Sequence, residues 1–201
     1  MAKIKDIPTV EDMYKQDIKK KFGDVLFGLD FIKDKEERII PIGPALDWAT
    51  GGIAIGTWSV IAGPPKSGKT TTAMQIAVNA QKYQGMHVFY LNVETRFKKQ
   101  NLQGMDFNPD LFTLVTSSED RILSAEDYMN ITENILSSKK NSLIIIDSLS
   151  SLCSESELSN PVSGQTRLIN PRILASFCRK CQSKIAVRDC AMLGINHIIS
   201  N

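Results

Sequence analysis

The chain has 201 residues, 42% of them hydrophobic and 23% charged, with 24 Lys and Arg against 22 Asp and Glu. A single globular chain of this length buries roughly 70% of its unfolded surface, so it needs neither disulfides nor a structural metal to hold a core. A formal charge of +2 excludes a strongly basic, histone-like binder of phosphate backbones, though not a local DNA-binding loop.

The first forty residues read differently from the rest. Thr9 and Asp12 fit a capping box that opens a helix over Val10–Phe22, with Met13, Tyr14 and Ile18 near one face. Lys19–Lys21 suit the negative end of that helix, and Gly23 stops it. Asp30–Arg38 mixes both charge signs densely and reads as a solvated linker. From Ile39 onward, strands and helices alternate. The strands are expected at Thr57–Ala62, His87–Val93, Leu111–Thr116, Ser142–Asp147 and Ala191–Ile198, each short and aliphatic enough to be buried on both faces. Helices are expected at Lys69–Tyr83, Ser124–Ser137 and Pro171–Arg188, and Ser154–Asn170 is expected to be a long loop. This alternation predicts an α/β fold with a mostly parallel sheet flanked by helices.

Gly63-Pro64-Pro65-Lys66-Ser67-Gly68-Lys69-Thr70, followed by Thr71, fits the phosphate-loop pattern at every fixed position. It follows a strand and opens a helix, as the pattern requires. The glycines let backbone N–H groups converge on an anion, and the helix N-terminus adds its positive end. The Lys69 ammonium suits β- and γ-phosphates, and the Thr70 hydroxyl suits Mg²⁺. The run Leu143–Ile146 ends in Asp147, a carboxylate placed to hold a water of the Mg²⁺ shell. Glu94, just past another strand, reads from position alone either as a surface glutamate or as a carboxylate placed to polarise a water for attack on the γ-phosphate. A nucleoside triphosphate and Mg²⁺ are therefore the expected ligands.

In their order, these residues resemble the RecA recombinase family from about Ile40 to Asn201. Leu46-Asp47, Gly51-Gly52, Gly56, the phosphate loop, Phe89 to Glu94, Ile145 to Ser148 and Gly194-Ile195-Asn196-His197 carry the likeness. Pro64, Lys66, Ser67 and His197 lean toward its phage branch (the UvsX type). The resemblance implies a P-loop NTPase core in which Lys69, Glu94 and His197 are catalytic, with His197 sensing the γ-phosphate. It implies ATP as the nucleotide, single-stranded DNA as partner, a homo-oligomeric filament, and Ser154–Asn170, with Arg167, as the first DNA-binding loop. Residues 1–38 would form an oligomerisation arm and linker, and 39–201 the ATPase core. Two departures stand out: a shorter segment between Glu94 and Gly104, near Arg96 and Phe97, and an end at Asn201, where the family's second DNA-binding loop begins. With later strands absent, weak ATP binding, slow hydrolysis, little DNA stimulation and no strand exchange are expected.

A ring helicase motor and a non-catalytic ATP-binding accessory of a recombinase filament are the alternative readings. Cys178 and Cys181 share a helix face with Leu174, Phe177 and Ile185 and read as buried hydrophobes, not a zinc half-site. Trp48 and Trp58 read as core. No apolar run is long enough to cross a bilayer, and Met1–Asp6 lacks the apolar centre of a secretory signal. Four cysteines without such a signal predict reduced thiols in a cytoplasmic compartment.

Overall fold

A run of aliphatic residues ending in an aspartate builds the centre of the molecule. All six residues of Ser142–Asp147 are buried, as a β-branched strand covered on both faces must be. The computed structural model describes residues 10–28, 37–159 and 169–198. They belong to two units, Met1–Glu37 and Arg38–Asn201.

In the first unit, α1 spans Val10–Phe22 with Lys19, Lys20 and Lys21 in its last turn. Gly23 takes φ 80° and its N–H donates to the Lys19 carbonyl at 2.9 Å, a glycine stop as expected. Met13, Tyr14 and Phe22 are exposed. Thr9 lies outside the described residues, as does most of the proposed linker.

In the second unit, Trp58–Gly63 (β3), His87–Asn92 (β4), Phe112–Thr116 (β5), Ser142–Asp147 (β6) and Ala191–His197 (β7) form one sheet in the order β3-β7-β6-β4-β5. All four pairings are parallel. Strand alternation sends odd and even residues to opposite layers. Val88, Tyr90, Leu143, Ile145, Leu193 and Ile195 pack with Ala73, Met74, Ile76 and Ala77 of α3, Lys69–Gln84. Phe89, Leu91, Ile144, Ile146 and Met192 pack on the other face with α4, Ala125–Ser138, and α6, Ile169–Val187. Ser124 and Asp127 form a reciprocal capping box at the start of α4, worth about 1 kcal/mol. At the amino ends of β4 and β6, the Arg38 guanidinium donates to Gln84 Oε1 (3.1 Å), the Gln84 carbonyl (3.1 Å) and Asn141 Oδ1 (2.8 Å).

Several expectations change. β3 and β5 are the sheet edges, so they are not buried on both faces: Val60 and Leu114 are exposed. Arg38 is not solvated linker but part of the network just described. A short helix α2, Pro44–Thr50, and a two-stranded antiparallel sheet, β1 (Ile39–Ile40) with β2 (Ile53–Ala54), precede β3 unannounced by periodicity, because both are shorter than one reliable period. Trp48 is 94% exposed, since no residue of α2 is buried. Trp58 is half-buried, edge-on to Phe177 at 5.7 Å. The expected loop at Ser154 begins as a short helix, α5 (Glu155–Ser159), where Ser154 and Glu157 exchange capping bonds. Arg167 lies outside the described residues. Phe177, Cys181 and Ile185 are buried and Cys178 half-buried, and all four cysteines are free. Among the described residues no helix is long and apolar enough to cross a membrane.

Candidate active site

The carboxyl ends of β3, β4, β6 and β7 open on one crevice of about 430 Å³, the position where open parallel sheets bind ligands. β3 ends at buried Gly63, where a Cβ would stand 2.9 Å from the Ser67 hydroxyl. The chain then turns through Lys66 at φ 62° and Gly68 at φ 87°, and Gly68 caps α3. Pro65, Lys66, Ser67, Gly68, Lys69, Thr70 and Thr71 line the crevice. Gly63 and Pro64 stand behind it: their carbonyls accept the Lys69 ammonium at 2.9 and 2.7 Å. Lys69 is buried, so those charge-assisted bonds offset the cost of desolvating it. The loop therefore presents a held cation and a helix N-terminus to the same opening.

Asp147, at the end of β6, is buried and lies in register between Asn92 of β4 and Ile195 of β7. Its Oδ2 accepts the Thr70 hydroxyl at 2.9 Å and also the Tyr90 hydroxyl. Burial first, then the charges of Asp147 and Glu94, pushes the Tyr90 phenol well above its ordinary value, so it serves as a donor. Among the described residues no three of His, Cys, Asp and Glu gather as metal ligands. A hydroxyl beside one carboxylate instead fits a cation completed by phosphate oxygens and water, the Mg²⁺ arrangement of phosphate-loop sites.

Glu94 lies two residues past β4, where its N–H and that of Val93 donate to the Asp147 carbonyl at 3.2 and 2.9 Å. Its Oε1 accepts three bonds, from Ser148 Oγ (2.8 Å), Ser151 Oγ (3.0 Å) and His197 Nε2 (2.9 Å). An ionised carboxylate only accepts, so His197 donates through Nε2. Burial pushes the Glu94 carboxyl up, but the bonds from Ser148, His197 and Ser151, with the pull of His197, outweigh it and hold it below its ordinary value. Arg96 reaches Oε2 at 3.3 Å with its side chain 83% exposed, a solvated pair that adds little. β7 is not the neighbour of β4: β6 lies between them, and the His197 imidazole reaches Glu94 across that strand's end.

The structure thus brings Lys69, Thr70, Asp147, Glu94 and His197 to one crevice. Sequence reasoning missed Tyr90, which lines it, and Ser151, which bonds Glu94. The available signals were a tyrosine inside an aliphatic strand and a serine three residues after Ser148. Phe97 also lines the crevice; it stacks near Tyr90 (4.7 Å) and Phe112 (5.8 Å), with its N–H on Asn92 Oδ1 (3.3 Å).

Comparison with known proteins agrees with this architecture. The RecA N-terminal domain family matches residues 10–201. Protein RecA of Sulfurimonas denitrificans is 30% identical over 157 residues, covering 78% of this chain and 44% of that protein. The mitochondrial DNA repair protein recA homolog of Dictyostelium discoideum is 29% identical over 189 residues, 91% of this chain and 40% of its own length. Protein RecA of Wolbachia from Brugia malayi is 30% identical over 156 residues, 77% and 42% respectively. The chain spans less than half the length of these curated relatives. With a parallel α/β core, a phosphate loop and a family match over nearly its whole length, the chain belongs to the RecA N-terminal domain family.

Proposed function

We propose that this chain is the ATP-hydrolysing core of a cytoplasmic recombination or repair ATPase that assembles with copies of itself on single-stranded DNA. The observation that carries the proposal is the convergence of Lys69, Thr70, Asp147, Glu94 and His197 on one crevice. In this reading Lys69 exchanges its Gly63 and Pro64 carbonyls for β- and γ-phosphate oxygens. Mg²⁺, when bound, neutralises charge building on the phosphates. Thr70 and, through a water, Asp147 hold that cation in place. Glu94 accepts a proton of the attacking water as its oxygen bonds to the γ-phosphorus and the bond to the ADP oxygen breaks. Its carboxyl, held below the ordinary glutamate value by its hydrogen bonds, is ionised at neutral pH and so is able to accept that proton. His197 ties the end of β7 to that carboxylate, so a change at β7 reaches the water-activating group directly.

Support for the DNA and filament parts is the family membership and the names of the relatives, which include a DNA repair protein. The leaning toward the phage branch rests on Pro64, Lys66, Ser67 and His197, while the relatives compared are bacterial and mitochondrial. Residues 1–38 are proposed as the self-association arm, because α1 exposes Met13, Tyr14 and Phe22, apolar surface that a partner would cover.

Phosphate release from Mg-ATP, with retention of single-stranded DNA measured in the presence of ATP, tests the proposal. Slow hydrolysis with ATP-dependent DNA retention is expected. ATP binding without hydrolysis would overturn it in favour of a non-catalytic accessory, and hydrolysis without DNA retention would remove the recombination role.

A further inference from the structure

Tyr90 belongs to the apolar cluster on the α3 face of the sheet. It is 1% exposed, and its ring lies 4.7 Å from that of Phe97 and 6.3 Å from that of Phe112. A phenylalanine would fill this space equally well without a hydroxyl to desolvate. The hydroxyl bonds Oδ2 of Asp147, the oxygen that also accepts Thr70 Oγ1 at 2.9 Å. Two donors arriving from different elements, one on β4 and one on α3, fix the rotation of that carboxylate. With its proton committed to Asp147, Thr70 has only lone pairs for other partners, and those are what a cation needs. The second carboxylate oxygen remains for a metal-bound water.

We infer that Tyr90 is a positioning residue of the divalent-cation site: its hydroxyl locks Asp147 so that Thr70 and Asp147 meet the cation in one geometry. This inference rests on the ATPase reading and deepens it. Hydrogen-bond partners of metal-site carboxylates act in this way, setting ligand orientation without touching the metal.

The test is a Mg²⁺ titration of fluorescent ATP-analogue binding to the full chain, wild type and Tyr90→Phe. Removing an outer partner typically weakens metal affinity by about tenfold or more, so the half-saturating Mg²⁺ concentration is expected to rise by about that factor. Affinity for the analogue in EDTA should stay as in wild type, which a loss of packing would not permit. Phe112→Leu loosens the same ring cluster but keeps the hydroxyl, and should leave the Mg²⁺ midpoint unchanged. In an Asp147→Ala background, which removes the oxygen both hydroxyls donate to, Tyr90→Phe should add no further shift. A Tyr90→Phe midpoint equal to wild type overturns the inference alone, and so does an equal shift in Phe112→Leu. Absence of any Mg²⁺-dependent binding by wild type overturns the ATPase reading, and the inference falls with it.

Discussion

Two polar clusters occupy opposite ends of the same parallel sheet. At the amino ends of β4 and β6, Arg38, Gln84 and Asn141 bond mainly to one another and to carbonyls: Asn141 Nδ2 donates to Gln84 and Gly85, both at 3.1 Å, and Gln84 Nε2 donates to Ile39 at 2.7 Å. That cluster satisfies the end of α3 and closes on itself. At the carboxyl ends, Lys69 bonds loop carbonyls, Asp147 accepts from Thr70 and Tyr90, and Glu94 accepts from His197, yet all four still line an opening. Both clusters offset the desolvation of polar groups. The difference is that one contains titratable groups facing a crevice beside a helix N-terminus, and the other neutral amides and a guanidinium facing carbonyls. Polarity near a sheet therefore marks chemistry only where charge remains directed at open space.

Substitutions at the two ends should separate cleanly. Lys69→Ala removes the cation aimed at the phosphates, a charged hydrogen-bonding group worth about 3 kcal/mol, so ATP affinity measured by titration should fall about 10²-fold or more. An affinity close to wild type would break the assignment of the phosphate loop. Asn141→Ala, at the other end, leaves Arg38 with fewer partners and places alanine at φ 51°. It should cost about 2 kcal/mol in denaturant unfolding with ATP affinity unchanged. A loss of ATP affinity with stability intact would erase the contrast.

The smallest effect is expected at Ser151→Ala, which removes one of three donors to Glu94 Oε1. Turnover should slow by only about 2–5-fold, because Ser148 and His197 still donate to the carboxylate. The readout specific to this role is pH. The Glu94 carboxyl is held below its ordinary value, so its base form, and the stability its bonds supply, persist above the unfolded value and vanish as pH falls through the folded one. Loss of a donor raises the folded value, so the acid limb of kcat should move to higher pH. An unmoved acid limb would place Ser151 outside the network.

Much of this was legible in the sequence, for physical reasons. The phosphate loop and Asp147 announce themselves because tight turns and buried strands tolerate few residue types. Strands β4, β6 and β7 were found within a residue of their ends, since aliphatic runs bounded by polar residues have one reading. The sheet order was not legible: nothing local distinguishes central β6 from edge β5, whose side chains remain partly exposed. Nor was the position of Trp48, because an indole on a seven-residue helix carries no periodicity to say which way it faces. Tyr90 and Ser151 became parts of the site only through contacts 57 residues distant in sequence, and no spacing rule reaches that far.

Glu94→Gln tests the central claim most directly, because it keeps the size and hydrogen-bonding reach of the side chain while removing its charge. ATP affinity and single-turnover phosphate release should be measured on the same preparations. Affinity close to wild type is expected, with phosphate release slowed about 10²-fold or more, the scale of a lost general base. Release at the wild-type rate would contradict the account and return Glu94 to a structural role at the end of β4.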